Sequence, residues 1–554
     1  MGESGLEMNR ILAQAGLKRD SILCTNVIAA QPQSNETWRF FEPKSTARSR
    51  IGGLAPSELV RSHVSVLYRQ ISAFPRSLVI VAGNYALWSL TNCTGAEVIR
   101  ESNFRAIPPE LQTWGPTGIM SWRGSMLYTD ARPEFGTVPR TPLLPIIHPA
   151  AILRAWYLRD VTIHDLRSRI PMALRGDWRP EDPVLLAPPT FEVARNLLRS
   201  WLRHAEETMS QMTLSVDIET NRTLITCIGL ASSSRLAISI PFVRKTDDGL
   251  ESYWTPVEEA ELIWLLRSVL THPLIRIVGQ NFVYDTQYIQ RFLGVTPDLW
   301  FDTMLAQNVI FPGTPKDLGY LASLYCQYYW YWKDDAKEWD GKGTLEQLLQ
   351  YNAMDCIRTW EIAESQQQYI RHLGLEPQMD LKMQTSKLCL RMMNRGVLID
   401  RRRRDQLLFE LSEALSRLHQ ELLGIIPQSW IKPHTKPNET FWFTSDKQTK
   451  QLFYDFLGFR VIRHRKTGNP TTGKEALMQF KKLYPQFSGL INRLDLAGSI
   501  ENTLNVLKAG IEFDGRMRCS YNPGGTETHR LSSSTNAFGR GTNFQNLTKG
   551  EEDD

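Results

Sequence analysis

Cysteine is scarce and unpatterned in this chain: seven residues in 554, at positions 24, 93, 227, 326, 356, 389 and 519, with no Cys-x-x-Cys pair. Such spacing excludes a disulfide framework and offers no zinc or iron-sulfur ligand set, so no iron-sulfur cluster is expected and a reducing compartment is. Long hydrophobic runs are missing too. None approaches the roughly 18 to 20 apolar residues needed to cross a bilayer, and Met1-Gly2-Glu3-Ser4 does not begin a basic-then-apolar leader. The sequence therefore predicts a cytoplasmic protein with no membrane partner. Internal repeats and low-complexity tracts are absent, which excludes solenoids and arrays.

Charge of one sign is in small excess, +5 overall, but the basic residues cluster at Arg401-Arg402-Arg403-Arg404 and from Arg460 through Lys466. Clustering suits a polyanionic partner better than the net charge does, although a solvated face is the alternative for either run. The length predicts about three domains, each able to bury a core.

The pattern along the chain is α/β. Residues 1–165 alternate helix-like and strand-like pieces: Leu6 to Ala15, Ile22 to Ala29, Leu78 to Ala82, then a helical Tyr85 to Leu90. Residues 166–210 carry proline and charge and read as a connector leading into a helix, Phe191 to Arg203. Residues 211–375 open with three strands (Leu214 to Ile218, Leu224 to Leu230, Leu236 to Ile240), followed by helices at Pro256 to Leu270, Asp285 to Phe292 and Leu345 to Gln368. Residues 376–554 begin with two long amphipathic helices, Leu381 to Asn394 and Arg403 to Leu423.

Chemistry concentrates in three acidic segments. Asp217-Ile218-Glu219-Thr220 ends an apolar strand, so its two carboxylates leave on one face. Downstream, Asn281 and Asp285, and again Tyr351 and Asp355, stand at i and i+4, the spacing of one helical face. Carboxylates converging from separate elements suit hydrolysis of a phosphodiester with two cations about 3.5 to 4 Å apart, one to activate water and one to stabilise the leaving oxygen. Asp302 and the Asp334-Asp335 pair lack such context and read as solvated.

In this order the segments resemble the proofreading 3'-5' exonuclease of family A DNA polymerases, a ribonuclease H-like domain. The resemblance implies two Mg2+ or Mn2+ ions. Asp217 would bridge both, Glu219 and Asp355 would complete the nucleophile-side ion, and Asp285 would hold the second, partly through water. Tyr351 would orient the attacking water, as in the tyrosine subclass, with Thr220 and Asn281 beside the DNA.

Further on, Asp514-Gly515-Arg516, the run Ser520 to Ser534 and then Gly541 to Leu547 resemble the first polymerase motif of the same family, and Arg395 to Asp400 resemble its entry into the thumb. The implied duplex contacts are Thr528, Arg530, Ser532, Gln545 and Asn546, residue types that grip backbone without reading sequence. The palm aspartates and the fingers helix of the family have no counterpart before Asp554. The reading is thus of an amino-terminal part of a split or truncated polymerase, inactive in synthesis until a palm and fingers subunit is supplied.

At the other end, Ala15-Gly16-Leu17, Thr25-Asn26-Val27, Ala82 to Ala86, Trp122-Arg123-Gly124 and Ile147 to Arg154 resemble family 4 uracil-DNA glycosylases. Asn26 would read the flipped base and His148 would stabilise the leaving uracil. The motif with the water-handling acid would precede Met1, and Ala30 stands where a cluster cysteine is expected. Little or no uracil excision is therefore implied, with the fold kept for DNA binding or structure.

The expected organisation is a glycosylase-like domain over 1–165, a linker and helix over 166–210, an exonuclease over 211–375, and a mostly helical thumb with the start of the palm over 376–554. Its partners would be single-stranded 3' ends and primer-template DNA. Two other functions fit parts of the pattern, a ribonuclease D-like RNA-processing exonuclease and a non-catalytic DNA-binding scaffold.

Overall fold

The computed structural model describes residues 2–33, 37–42, 55–74, 76–91, 118–130, 132, 135–176, 182–221, 223–246, 249–333, 344–427, 445–464 and 468–546. Asp334-Asp335, Lys466, Leu547 and the last seven residues lie outside that set. Two compact units emerge, Met1–Thr385 with Thr526–His529, and Ser386–Gly525 with Arg530–Asp554.

The first unit opens with helix Glu3–Gln14, whose buried Ile11 and Leu12 join a core with Leu144, Ile146, Ile152 and Leu166. A small sheet follows, in which Val79–Ala82 runs parallel to Pro142–Ile146 and Leu127–Tyr128 pairs antiparallel on its other side. The strand expected at Ile22 to Ala29 does not form; a 3-10 turn at Arg19–Ser21 leads into irregular chain. Side chains take up its backbone groups in place of a ladder: Arg19 donates to the Ile22 carbonyl at 2.8 Å, and the Ala29 N–H donates to His63 at 3.3 Å.

The segment expected to be connector is built into the fold. Helix Leu158–Arg175 runs through position 166, with Leu166, Ile170 and Ala173 in the first core. Val184–Leu186 is then an edge strand of the large sheet, parallel to Leu236–Pro241, and helix Phe191–Thr208 starts at a Thr190 cap. Apolar spacing hidden among charges explains the misreading, since Leu158–Arg175 carries almost as many polar as apolar side chains.

The large sheet has six strands in the order Leu299–Asp302, Ile275–Gly279, Met212–Asn221, Leu224–Ser233, Leu236–Pro241, Val184–Leu186. The three central strands, those expected from the sequence, form an antiparallel meander, and the flanking pairs are parallel. Helix Leu345–Leu373 lies across it, burying Leu349, Ala353, Cys356 and Ile357 against Cys227, Ala231 and Ala237. Close approach needs a glycine: a Cβ on Gly229 would stand 2.4 Å from Asn352 Oδ1 and 2.7 Å from Cys356 Sγ.

The second unit has its own core. Helices Arg401–Ile425, Lys474–Leu483 and Ser488–Leu507 bring together Leu415, Leu418, Leu422, Phe480, Ile491, Leu494 and Leu504. Asp400 caps the first of these, its side chain accepting from the Arg403 N–H. Two short antiparallel pairs follow, Val397–Leu398 with Arg516–Met517 and Ser520–Asn522 with Ser532–Ser534.

Candidate active site

Strand Met212–Asn221 presents Asp217 and Glu219 on the same face, because neighbouring side chains of a strand alternate. A register shift against Leu224–Ser233 falls between Glu219 and Thr220. Helix Leu345–Leu373, started by a Thr344 capping box, supplies Asp355 from above. The three carboxylates offer oxygens that all lie within 4.8 Å of one another.

Donors hold Asp217 and Asp355. Asn352 donates to Asp217 Oδ2 at 2.8 Å and itself accepts from Ser239 at 2.7 Å. Trp332 Nε1 donates to Asp355 Oδ1 at 2.6 Å, and Lys333 Nζ donates to Asp355 Oδ2 at 2.6 Å and to the Tyr351 hydroxyl at 2.8 Å. Asp285 lies outside the close trio; it is 5% exposed, and its Oδ1 accepts from the Ile218 N–H at 3.0 Å, which ties it to the strand bearing the other acids.

Burial and mutual repulsion shape the charges. Desolvation, then the charge of Asp355, lifts Asp217 to about 7 against the pull of Lys333 and Asn352. Glu219 and Asp285 are raised by the same desolvation and by Asp217. Tyr351 is raised by burial and by Asp355, which keeps its hydroxyl protonated. Burial alone would lower Lys333, but Asp355, with Asp217 and Glu219, more than offsets it and the ammonium is kept. A crowd of hard oxygen donors with this much unrelieved negative charge fits a divalent cation such as Mg2+ or Mn2+, and has no sulfur or nitrogen to favour a softer metal.

Two readings need correction. Asn281 and Asp285 do not share a helical face, because the helix is Val283–Leu293 and Asn281 precedes it with a left-handed φ of 55°. Asp302 is not solvated; it is fully buried, and its carboxylate accepts from the backbone N–H groups of Asn281, Phe282, Met304 and Leu305 at 2.9 to 3.2 Å. It thereby fixes the Asn281 turn and caps helix Thr303–Ile310. An aspartate just before an apolar helical run was the signal for that cap. Lys333, Trp332 and Asn352 were also missed; the aromatic run Tyr328 to Trp332 ending in a lysine was the mark of the first two, and Asn352 stands beside Tyr351 on helix Leu345–Leu373.

The other expected contacts are dispersed. Thr220 Oγ1 and Tyr284 Oη are 3.0 Å apart. Thr528 and Arg530 are exposed; Ser532 sits in the strand Ser532–Ser534; Gln545 and Asn546 are exposed on a 3-10 turn, where Gln545 donates to the Leu531 carbonyl at 2.9 Å. In the first region, His148 caps helix Pro149–Arg154, its Nδ1 accepting from the Ala150 N–H at 3.2 Å. Gly83 packs against it with a φ of 84°, and a Cβ there would stand only 3.0 Å from the His148 Cβ. Beside it, the buried Asn84 accepts from the Ile119 N–H at 2.6 Å. Asn26 lies in irregular chain after Thr25, whose hydroxyl bonds Gln70 at 2.8 Å.

Residues 196–370 match the 3'-5' exonuclease family of the DNA polymerase A type, and residues 1–167 match the uracil DNA glycosylase superfamily. Among solved structures, the chain is similar to the POL domain of Pol1 from M. smegmatis in complex with DNA primer-template and dNTP, at 19% identity and a TM-score of 0.43 over 64% of this chain. It spans 55% of the length of that structure. The chain thus carries a uracil-DNA glycosylase-like domain followed by a 3'-5' exonuclease domain of the family A polymerase type.

Proposed function

We propose that the exonuclease domain shortens DNA from the 3' end by two-cation hydrolysis, within a ribonuclease H-like arrangement, as a proofreading activity would. The observation that carries this reading is the convergence of Asp217, Glu219 and Asp355 within 4.8 Å, inside the segment that matches the exonuclease family. Asp217 would bridge the two cations, Glu219 and Asp355 would complete one, and Asp285 would serve the other partly through water. When bound, the cations would supply Lewis acidity and charge neutralisation for the scissile phosphate. Tyr351, kept protonated, would orient the incoming water through its hydroxyl.

Thr220 and Asn281 would flank the 3' strand, while Thr528, Arg530, Ser532, Gln545 and Asn546 would hold duplex backbone. The match to the polymerase A type favours DNA over the RNA-processing alternative. The test uses a 5'-labelled single-stranded oligonucleotide with Mg2+ or Mn2+. Stepwise 3' shortening is expected. Because cage ligands act as a unit, Asp217→Ala or Asp355→Ala should each lower the rate on the order of a thousandfold or more. Tyr351→Phe should be milder, since it spares the cage. Full activity in both alanine variants would refute the assignment.

A further inference from the structure

The segment Ser323 to Lys333 belongs to the exonuclease domain by sequence but is clamped by the glycosylase-like region and by helix Leu158–Arg175, which continues from it. Arg169 donates to the carbonyls of Ser323 and Cys326 at 3.0 and 3.1 Å. Arg123, held by Asp165 through two bonds at 2.8 and 2.6 Å, reaches Ser323 Oγ at 2.6 Å. Tyr329 donates from its hydroxyl to the Ser121 carbonyl at 3.0 Å, and its own carbonyl accepts from the Met126 N–H at 3.3 Å. Trp122 and Tyr331 meet with ring centroids 5.2 Å apart, and Tyr328 packs on the first core. Thus the Trp122-Arg123 pair is spent on docking this strap.

The far end of the strap enters the carboxylate cage. Trp332 and Lys333 hold both oxygens of Asp355, and Lys333 also bonds the Tyr351 hydroxyl, with its ammonium 4.8 Å from the Tyr351 ring centroid. We infer that Lys333 is a positioning residue of the exonuclease centre, aligning the Tyr351 hydroxyl and one Asp355 oxygen, and that the glycosylase-like domain keeps it there by clamping the strap. The inference rests on the exonuclease reading above.

Charge balance gives the physical reason for a lysine. Four carboxylates are neutralised by two divalent cations, and the phosphodiester brings one further negative charge. A fixed ammonium at the edge of the cage compensates that charge, and held by Asp355 and Tyr351 it needs little reorganisation when DNA arrives. The strap also explains an otherwise odd composition: of the five consecutive aromatics from Tyr328 to Trp332, Tyr328, Tyr329 and Tyr331 meet the first domain while Trp330 and Trp332 meet helix Leu345–Leu373, with Arg358 4.3 Å from the Trp330 ring centroid and bonded to the Tyr328 carbonyl at 2.9 Å.

The test compares wild type, Lys333→Met, Lys333→Arg and the docking variants Trp122→Ala and Tyr331→Ala in the full chain. Single-turnover 3' shortening is read at saturating Mn2+, alongside calorimetric Mn2+ affinity and the binding of single-stranded DNA. Lys333→Met is expected to slow cleavage on the order of a hundredfold, with Mn2+ and DNA affinities each within about threefold of wild type. Lys333→Arg should restore most of the rate, and both docking variants should slow cleavage in the same direction while still binding Mn2+. An active wild type matched by Lys333→Met overturns the inference and leaves the exonuclease reading standing. A deficit seen only at subsaturating Mn2+, or tighter Mn2+ binding with faster cleavage, also overturns it, by making Lys333 a support for or competitor of the cation. A wild type that leaves 3' ends intact removes the exonuclease reading and this inference together.

Discussion

Asp217 concentrates the electrostatics of the cage, and its consequence is measurable without any substrate. Its carboxyl is lifted from 3.8 to about 7, first by burial and then by Asp355. Between those values the folded protein keeps a proton that the unfolded chain has released, so the fold loses stability as pH rises through that window. In EDTA, the Tm is expected to fall between about pH 4 and pH 7 more steeply in wild type than in Asp217→Asn, which has no carboxylate there to ionise. Mg2+ should recover the loss above pH 7, where binding displaces fewer protons. Equal slopes for the two proteins in EDTA would contradict the assigned shift. At this scale Asp217, Glu219, Tyr351 and Asp355 were legible because a strand puts i and i+2 on one face and a helix aligns i and i+4. Lys333 was not, since it reaches the cage through a strap whose path depends on docking partners about two hundred residues earlier, such as Ser121 for Tyr329.

Strands and helices of the exonuclease domain followed from periodicity: the meander at Met212–Asn221, Leu224–Ser233 and Leu236–Pro241, and the long Leu345–Leu373, stand where alternation and amphipathic spacing put them. Edge strand Val184–Leu186 did not, because three residues carry too little alternation to separate from a proline-rich connector. How closely the long helix seats on the sheet was equally invisible, and it turns on Gly229, the ladder partner of Asp217. Gly229→Ala would drive a methyl into Asn352 and Cys356. Displacing Asn352 frees Asp217 from the donor that orients it. The substitution is expected to cost about 1 to 3 kcal/mol of stability and to lower 3' shortening by more than the fraction unfolded accounts for. Denaturant unfolding together with single-turnover cleavage at a temperature where the variant is folded would decide it; a destabilised variant with wild-type cleavage would show that the helix seating does not set the cage.

On the scale of the whole chain, a glycosylase-like domain precedes an exonuclease domain, and what the first still does is open to direct test. Removing uracil requires a flipped base held against an aromatic face, stabilisation of charge on the leaving base, and a placed water. His148 would meet one of these needs: its Nδ1 is occupied by the Ala150 N–H, so the neutral ring carries its proton on Nε2, and desolvation followed by the Arg154 charge holds its pKa below the ordinary value. The charge it feels is a guanidinium and not a carboxylate that could handle water. Asn84, beside it, is already committed to the Ile119 N–H, and Trp122 and Arg123 to the strap. Little or no excision is therefore expected, with a residual preference for uracil-containing strands carried by Asn26. The assay is abasic-site cleavage of a uracil-containing oligonucleotide blocked at its 3' end, run in the Asp217→Ala background so that the exonuclease is silent. Efficient abasic-site formation that disappears on adding His148→Ala would mean that the domain is a working glycosylase, and that its water is placed by a group other than those around His148.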